Sequence, residues 1–131
     1  MPSLVTLAEA KMQVQVDTDA LDPWFETMIP AISGAVLSWL KDDWRAYETI
    51  NDSNGEPLED SSGDQFPILD SNGQPIVKPV VKAATLVELA VQFRFRDGDG
   101  TPAVPSHWGH GYVLSAGPTS LLTALRKSTV A

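Results

Sequence analysis

The stretch "DALDPWFETMIPAISGAVLSWL", Asp19 to Leu40, constrains this chain more than any other. Leu21, Trp24, Phe25, Met28, Ile29, Ile32, Val36, Trp39 and Leu40 recur at threes and fours, the spacing of a helix with one broad apolar face. Such a face has to be buried against other elements, so the rest of the chain must supply partners for it. Asp19 or Asp22 is the expected N-cap, and Pro23 fits the first turn, where its missing N–H costs nothing. Pro30 lies inside the pattern. It removes one backbone bond and crowds the preceding turn, which predicts a kink near Glu26 to Pro30.

Three further segments have helical spacing. Thr6-Leu7-Ala8-Glu9 spells a capping box, predicting a short helix to about Met12, after which Val14 and Val16 carry the chain away. "VKPVVKAATLVELAVQFRFRDGDG" places Pro79 near a helix start and Gly98 beyond its end. Its Ala83, Leu86, Val87, Ala90, Val91 and Phe93 are apolar over more than half the circumference, which suits packing on two sides, and Arg94 and Arg96 suit the dipole of a last turn. A final helix from about Pro118 shows Leu121, Leu122 and Leu125 before Arg126 and Lys127.

Between the second and third helices the periodicity vanishes. Residues 46–77 hold seven acids and no base, and "DSNGEP" at Asp52 returns as "DSNGQP" at Asp70, with a third acidic turn, "DGDG", at Asp97. A helix-loop-helix calcium site needs glycine at its sixth position and a bidentate glutamate at its twelfth. Here glycine stands fourth, and the twelfth residues are Gly63 and Val81. Asn-Gly is instead a preferred pair for a two-residue hairpin turn, so the expectation is one or two short hairpins, with Phe66, Ile68, Leu69, Ile76 and Val77 supplying what they can bury. The arm so formed is either a solvated insertion or, through Phe66, Ile68 and Leu69, a partner contact.

Motifs for chemistry are weak. "GDGTPA", Gly98 to Ala103, imitates a dinucleotide fingerprint but follows a helix, and Pro102 and Pro105 oppose the helix that should come next. His107 and His110 in "HWGH" do not complete a metal site by themselves. Asp42-Asp43 and Asp97 with Asp99 read as capping or solvated acids, and there is no Gly-x-Ser-x-Gly elbow or Walker loop. Trp24 and Trp39 fall on the apolar face of the long helix, Trp44 follows it, and Trp108 stands in a late loop where it closes a core or anchors a partner. No enzyme activity, metal or cofactor is expected.

The net charge of −8 divides unevenly: −4 over residues 1–45, −7 over 46–77 and +3 over 78–131. A duplex-binding protein needs a basic footprint to displace counterions, so tight autonomous DNA binding is not expected. Cysteine is absent, which fits a reducing compartment; "MPSLVTLAEAK" lacks the basic and apolar regions of an export signal, and no apolar run spans a bilayer. The fold expected is mainly α: a single domain over 1–131, a small bundle of about four helices with a β-hairpin-like insertion over 46–77 and a C-terminal helix and tail over 116–131.

The order "LAEAKMQVQVD", "DALDPWFETMIPAISGAVLSWL", "VKPVVKAATLVELAVQFRF" and "SLLTALRKSTVA" resembles the head-tail connector, or adaptor, proteins of tailed bacteriophages. The likeness rests on Leu7-x-x-x-Lys11, on Asp19 and Asp22 before a long apolar helix, and on a terminal Leu121-Leu122-x-x-Leu125-Arg126. It departs in a longer insertion, and in Leu125 where the family often has tyrosine before the final arginine.

The resemblance implies a structural virion protein, made in the host cytoplasm and placed in the neck at the head-tail junction. There it would form a homo-oligomeric ring, commonly a dodecamer on the portal, that extends the DNA channel without sequence-specific DNA binding and without a membrane. Portal, downstream neck or tail protein, and other copies of itself would be its partners. Leu86, Val87, Arg94, Arg96, Leu121, Leu122, Leu125 and Arg126 are the expected oligomer or portal contacts. Two other readings stand beside it: a small metal-dependent hydrolase using His107 and His110, and an acidic monomeric binding module whose arm mimics DNA.

Overall fold

The computed structural model describes residues 3–94 and 114–126. The capping box forms as its residues require: Glu9 N donates to Thr6 Oγ1 at 3.1 Å and Thr6 N to Glu9 Oε1 at 2.9 Å, opening α1 (Leu7–Gln13). Gln15, at φ 60°, then turns the chain toward α2 (Asp22–Leu40).

Neither expected aspartate caps α2. Leu21 occupies the N-cap without a side-chain bond, and Asp22 is already inside the first turn, where its carboxylate receives Lys11 Nζ at 2.8 Å. A charge-assisted bond plus a favourable position at the positive end of the helix outweighs the single backbone bond a cap would give. The helix runs on through Pro30 without interruption. Its buried face is shifted from the apolar pattern: Phe25, Ile29, Ile32, Val36, Leu37 and Leu40 are buried while Leu21, Trp24, Met28 and Trp39 are half-buried, and Ser33 is buried too, its Oγ accepting Leu4 N at 3.0 Å and pinning the N-terminal segment.

α3 (Pro79–Arg94) lies against α1 and α2 and carries α4 (Ala116–Leu122). Its buried stripe is Val81, Ala84, Thr85, Glu88 and Leu89, while Ala83 is exposed. The stripe accommodates two polar residues because both are bonded. Thr85 Oγ1 donates to Val81 O at 2.9 Å, and Glu88 Oε1 accepts Ser115 N at 3.0 Å and Ser115 Oγ at 2.7 Å. Ser115 is the N-cap of α4, so a carboxylate from α3 sits at the positive end of the next helix. Trp24, Phe25 and Phe93 close this side of the core, with Trp24 edge-on to the other two rings at 5.1 and 5.4 Å.

No strand forms among the described residues, so the expected hairpin insertion is not present. A 3-10 turn, Asp43–Ala46, leads instead into a stack of hydrogen-bonded triangles. In one, Glu48 N donates to Ile76 O, Ile76 N to Ile68 O, and Ile68 N to Glu48 O, at 2.8 to 3.0 Å. In the next, Ile50 N donates to Phe66 O, Phe66 N to Leu58 O, and Leu58 N to Ile50 O, at 2.9 to 3.3 Å. Each extended segment thus bonds alternately to two neighbours. Pairings such as Thr49 with Pro67 and Asn51 with Pro57 stay isolated and never grow into a ladder. Donors in the triangles are all even-numbered, whereas Pro57, Pro67 and Pro75 are odd, so no proline falls where an N–H is needed.

Three near-identical turns join these segments. Asp52, Asp60 and Asp70 each accept two backbone N–H groups on Oδ1, from the second and fourth residues onward, at 2.8 and 3.0 Å. Gly55, Gly63 and Gly73 take φ near +80°. Asn54 and Asn72 do not, so the turn is a longer one with a single left-handed glycine rather than the two-residue Asn-Gly form. The middle repeat, "DSSGDQ", has Gln65 where the others have proline. Among the described residues there are four α-helices, and none is long and apolar enough to cross a membrane.

Candidate assembly surfaces

The connectivity of the arm gives it two ends. Lys78 N donates to Ala46 O at its root; the Glu48 triangle lies next, then the Ile50 triangle, then the turns at 52–56 and 60–64. The turn at 70–74 doubles back beside the root. Asp52, Glu56, Glu59, Asp60 and Asp64, five of the arm's seven acids, therefore crowd the far end. Directly beneath them Ile50, Leu58 and Phe66 remain about 40 to 46% exposed. Ile68 and Leu69, the other expected contacts of the arm, are exposed lower down, Leu69 at 55%. The turn aspartates spend one carboxylate oxygen on their own backbones, and no group of acids and histidines that could hold a metal occurs among the described residues.

A second surface lies where α2, the 3-10 turn and α4 converge. Arg126 stacks on Trp39 with its guanidinium 4.7 Å from the ring centroid, and its Nε donates to Trp39 O at 2.9 Å. Arg45 stacks on Trp44 at 4.6 Å, donates to Leu125 O at 3.1 Å, and pairs with Asp42 at 3.0 Å. The adjacent residues Leu125 and Arg126 thus join two arginine–tryptophan stacks into one patch. Stacking fixes each guanidinium as a flat platform, the kind of group that anchors interfaces. Arg126 has no carboxylate partner among the described residues. Lys41, the C-cap of α2 at φ 80°, is exposed two residues beyond Trp39.

Between α1, the middle of α2 and the turn at 70–74 runs an open groove of about 780 Å³, floored by Leu4, Ile29, Pro30 and Ile76. Its rim carries the ion pair of Glu9 with Lys82, at 2.8 Å, and the acids Glu26 and Asp70. Burial pushes the Glu9 carboxyl up, but the Lys82 ammonium and the Thr6 N–H and hydroxyl outweigh it and hold the group below the ordinary carboxylate range. Tyr47, also lining the groove, is pushed up by burial and by the negative charge of Asp43.

The expected contact residues scatter over this framework. Leu122, on the inner face of α4, is fully buried in the core of its own chain. Leu125 and Leu86 are half-buried and pack on the same core. Val87 is half-buried, its Cγ1 facing the position a Cβ on Gly117 would take, at 3.2 Å, so it serves the contact of α3 with α4. Leu121, Arg94 and Arg126 are exposed. Arg96, His107, Trp108, His110, Asp97, Asp99 and "GDGTPA" lie outside the described residues. The reading of sequence alone missed Trp39 as an arginine platform, and it missed the repeat at Asp60. Asp-Ser-x-Gly standing at 52, 60 and 70 is the signal that reveals the latter. Comparison with protein-family models, with curated proteins and with solved structures finds no match for this chain.

Proposed function

We propose that this chain is a structural subunit of a ring-shaped head-tail connector, joining a portal to a tail and extending the DNA channel. The observation that carries the reading is the succession of a capped short helix, a long helix, a third helix and a short terminal helix around one core, in the order of the resemblance. Two features of the molecule support it. The chain presents separate acidic and arginine–tryptophan surfaces, which suits assembly with neighbours. Its acidity is concentrated on a projecting arm, which gives it a charged surface to offer a neighbour.

Mechanism on this reading is geometric. Side-by-side subunits hold the channel open, and their charge sets how DNA passes. Co-sedimentation with the portal encoded by the same genome tests it: the chain should travel with the portal in a fixed ratio of copies per portal subunit. Failure to co-sediment at any mixing ratio counts against a connector. The acidic arm also favours a second reading, a monomeric module binding a basic protein; binding of that kind would fall steeply with salt and leave the chain a monomer beside the portal.

A further inference from the structure

We infer that the tip of the arm docks on the arginine–tryptophan patch of a second copy of this chain. The inference rests on the connector reading and names the contact that would join neighbouring subunits. Two independent features point to it. The tip, residues 52–64, carries five acids and no base above the partly exposed ring of Ile50, Leu58 and Phe66. The patch offers the complement: Arg126 and Lys41 exposed, Trp39 beneath Arg126, and three bases against two acids among Lys41, Asp42, Asp43, Arg45 and Arg126. Lys127 follows next in sequence. An acidic rim around an apolar centre and a basic rim around an aromatic one are matched in both charge and hydropathy.

Geometry makes the contact intermolecular. The patch flanks the root of the arm, since Arg45 precedes Ala46, whereas the tip lies three layers out, about 20 Å at the rise of extended chain. Two hydrogen-bonded triangles stand between tip and root, so the tip does not reach its own root. Edge-to-edge strand pairing is opposed as well, because Pro57, Pro67 and Pro75 offer no N–H at odd positions that the triangles leave unbonded. Recognition therefore runs through side chains. Because the tip and the patch are different surfaces, the contact is head-to-tail, the type that closes into a ring when its rotation permits. The charge division agrees: 46–77 holds −7 and the remainder of the chain only −1, so tip meets body far more readily than tip meets tip.

Absence of cysteine makes the test clean. A Ser61→Cys preparation, with its free thiol at the tip, is mixed with an Ala124→Cys preparation, with its free thiol beside the patch, and treated with a bismaleimide, alone and with portal. The mixed product should exceed either homodimer, and Arg126→Glu in the second partner should lower its yield about tenfold. Glu56→Lys with Glu59→Lys in the first partner should restore it, which separates a lost contact from a misfolded variant. No mixed product under either condition, or homodimers in equal yield, overturns the contact. Portal-bound rings without the mixed product would overturn this inference and leave the connector; the mixed product without portal binding would do the reverse.

Discussion

Glu88 shows how one side chain can fix a junction that its neighbours in sequence conceal. An acid between Val87 and Leu89 reads as a solvated helix position, yet it is fully buried and organises the start of α4 through Ser115, 27 residues onward. Glu88→Ala should cost about 3 kcal/mol, because it strands the Ser115 donors beside a cavity, whereas Ser115→Ala removes one hydroxyl bond and should cost about 1 kcal/mol. Urea titration of both variants distinguishes the two. At the other end of the core, Thr6→Ala should cost about 1 kcal/mol by opening the capping box, which is the one residue-level bond legible beforehand because all of its partners lie within four residues. Glu9 adds a pH signature. Its folded pKa is lowered, so the stability it contributes is present above its unfolded pKa and is lost as pH falls through the folded one. Glu9→Gln should accordingly flatten the acid limb of the curve of urea midpoint against pH.

The elements divide by how local their causes are. α1 and α2 follow from apolar spacing and end signals, and both form close to where these place them. α3 exists as expected but presents a different face, because an apolar pattern cannot register that Thr85 and Glu88 are satisfied inside. The arm was legible only as a set of turns. Which segment each turn would join depends on a three-way arrangement, and alternating bonds to two neighbours leave no pairwise signal for a hairpin rule to find. The parity of the prolines is the trace it leaves in the sequence. Amide hydrogen exchange should therefore alternate along the arm: Ile50, Leu58, Phe66, Ile68 and Ile76 protected, Thr49, Glu59 and Val77 fast. Glu59→Pro should leave that protection standing and Leu58→Pro should abolish it, since only the latter removes a donor. At Gly55 and Gly73 a Cβ would meet nothing within 4 Å, so alanine there costs only the left-handed backbone, about 1 kcal/mol.

The whole molecule separates an acidic arm from a body that carries little net charge. Composition locates the acidity, but only the fold shows that it projects from the body at the end of an arm and that the arginine–tryptophan patch lies at that arm's root. The C-terminal contact residues illustrate the same limit: Leu121 and Leu122 are equivalent in sequence, yet the first is exposed and the second is core. Assembly is the property that separates a connector from every other reading, and electron microscopy of the chain mixed with its cognate portal observes it directly. The account predicts a closed ring of this chain coaxial with the portal, each arm tip resting on its neighbour. Bare portals beside a chain that remains monomeric would contradict it.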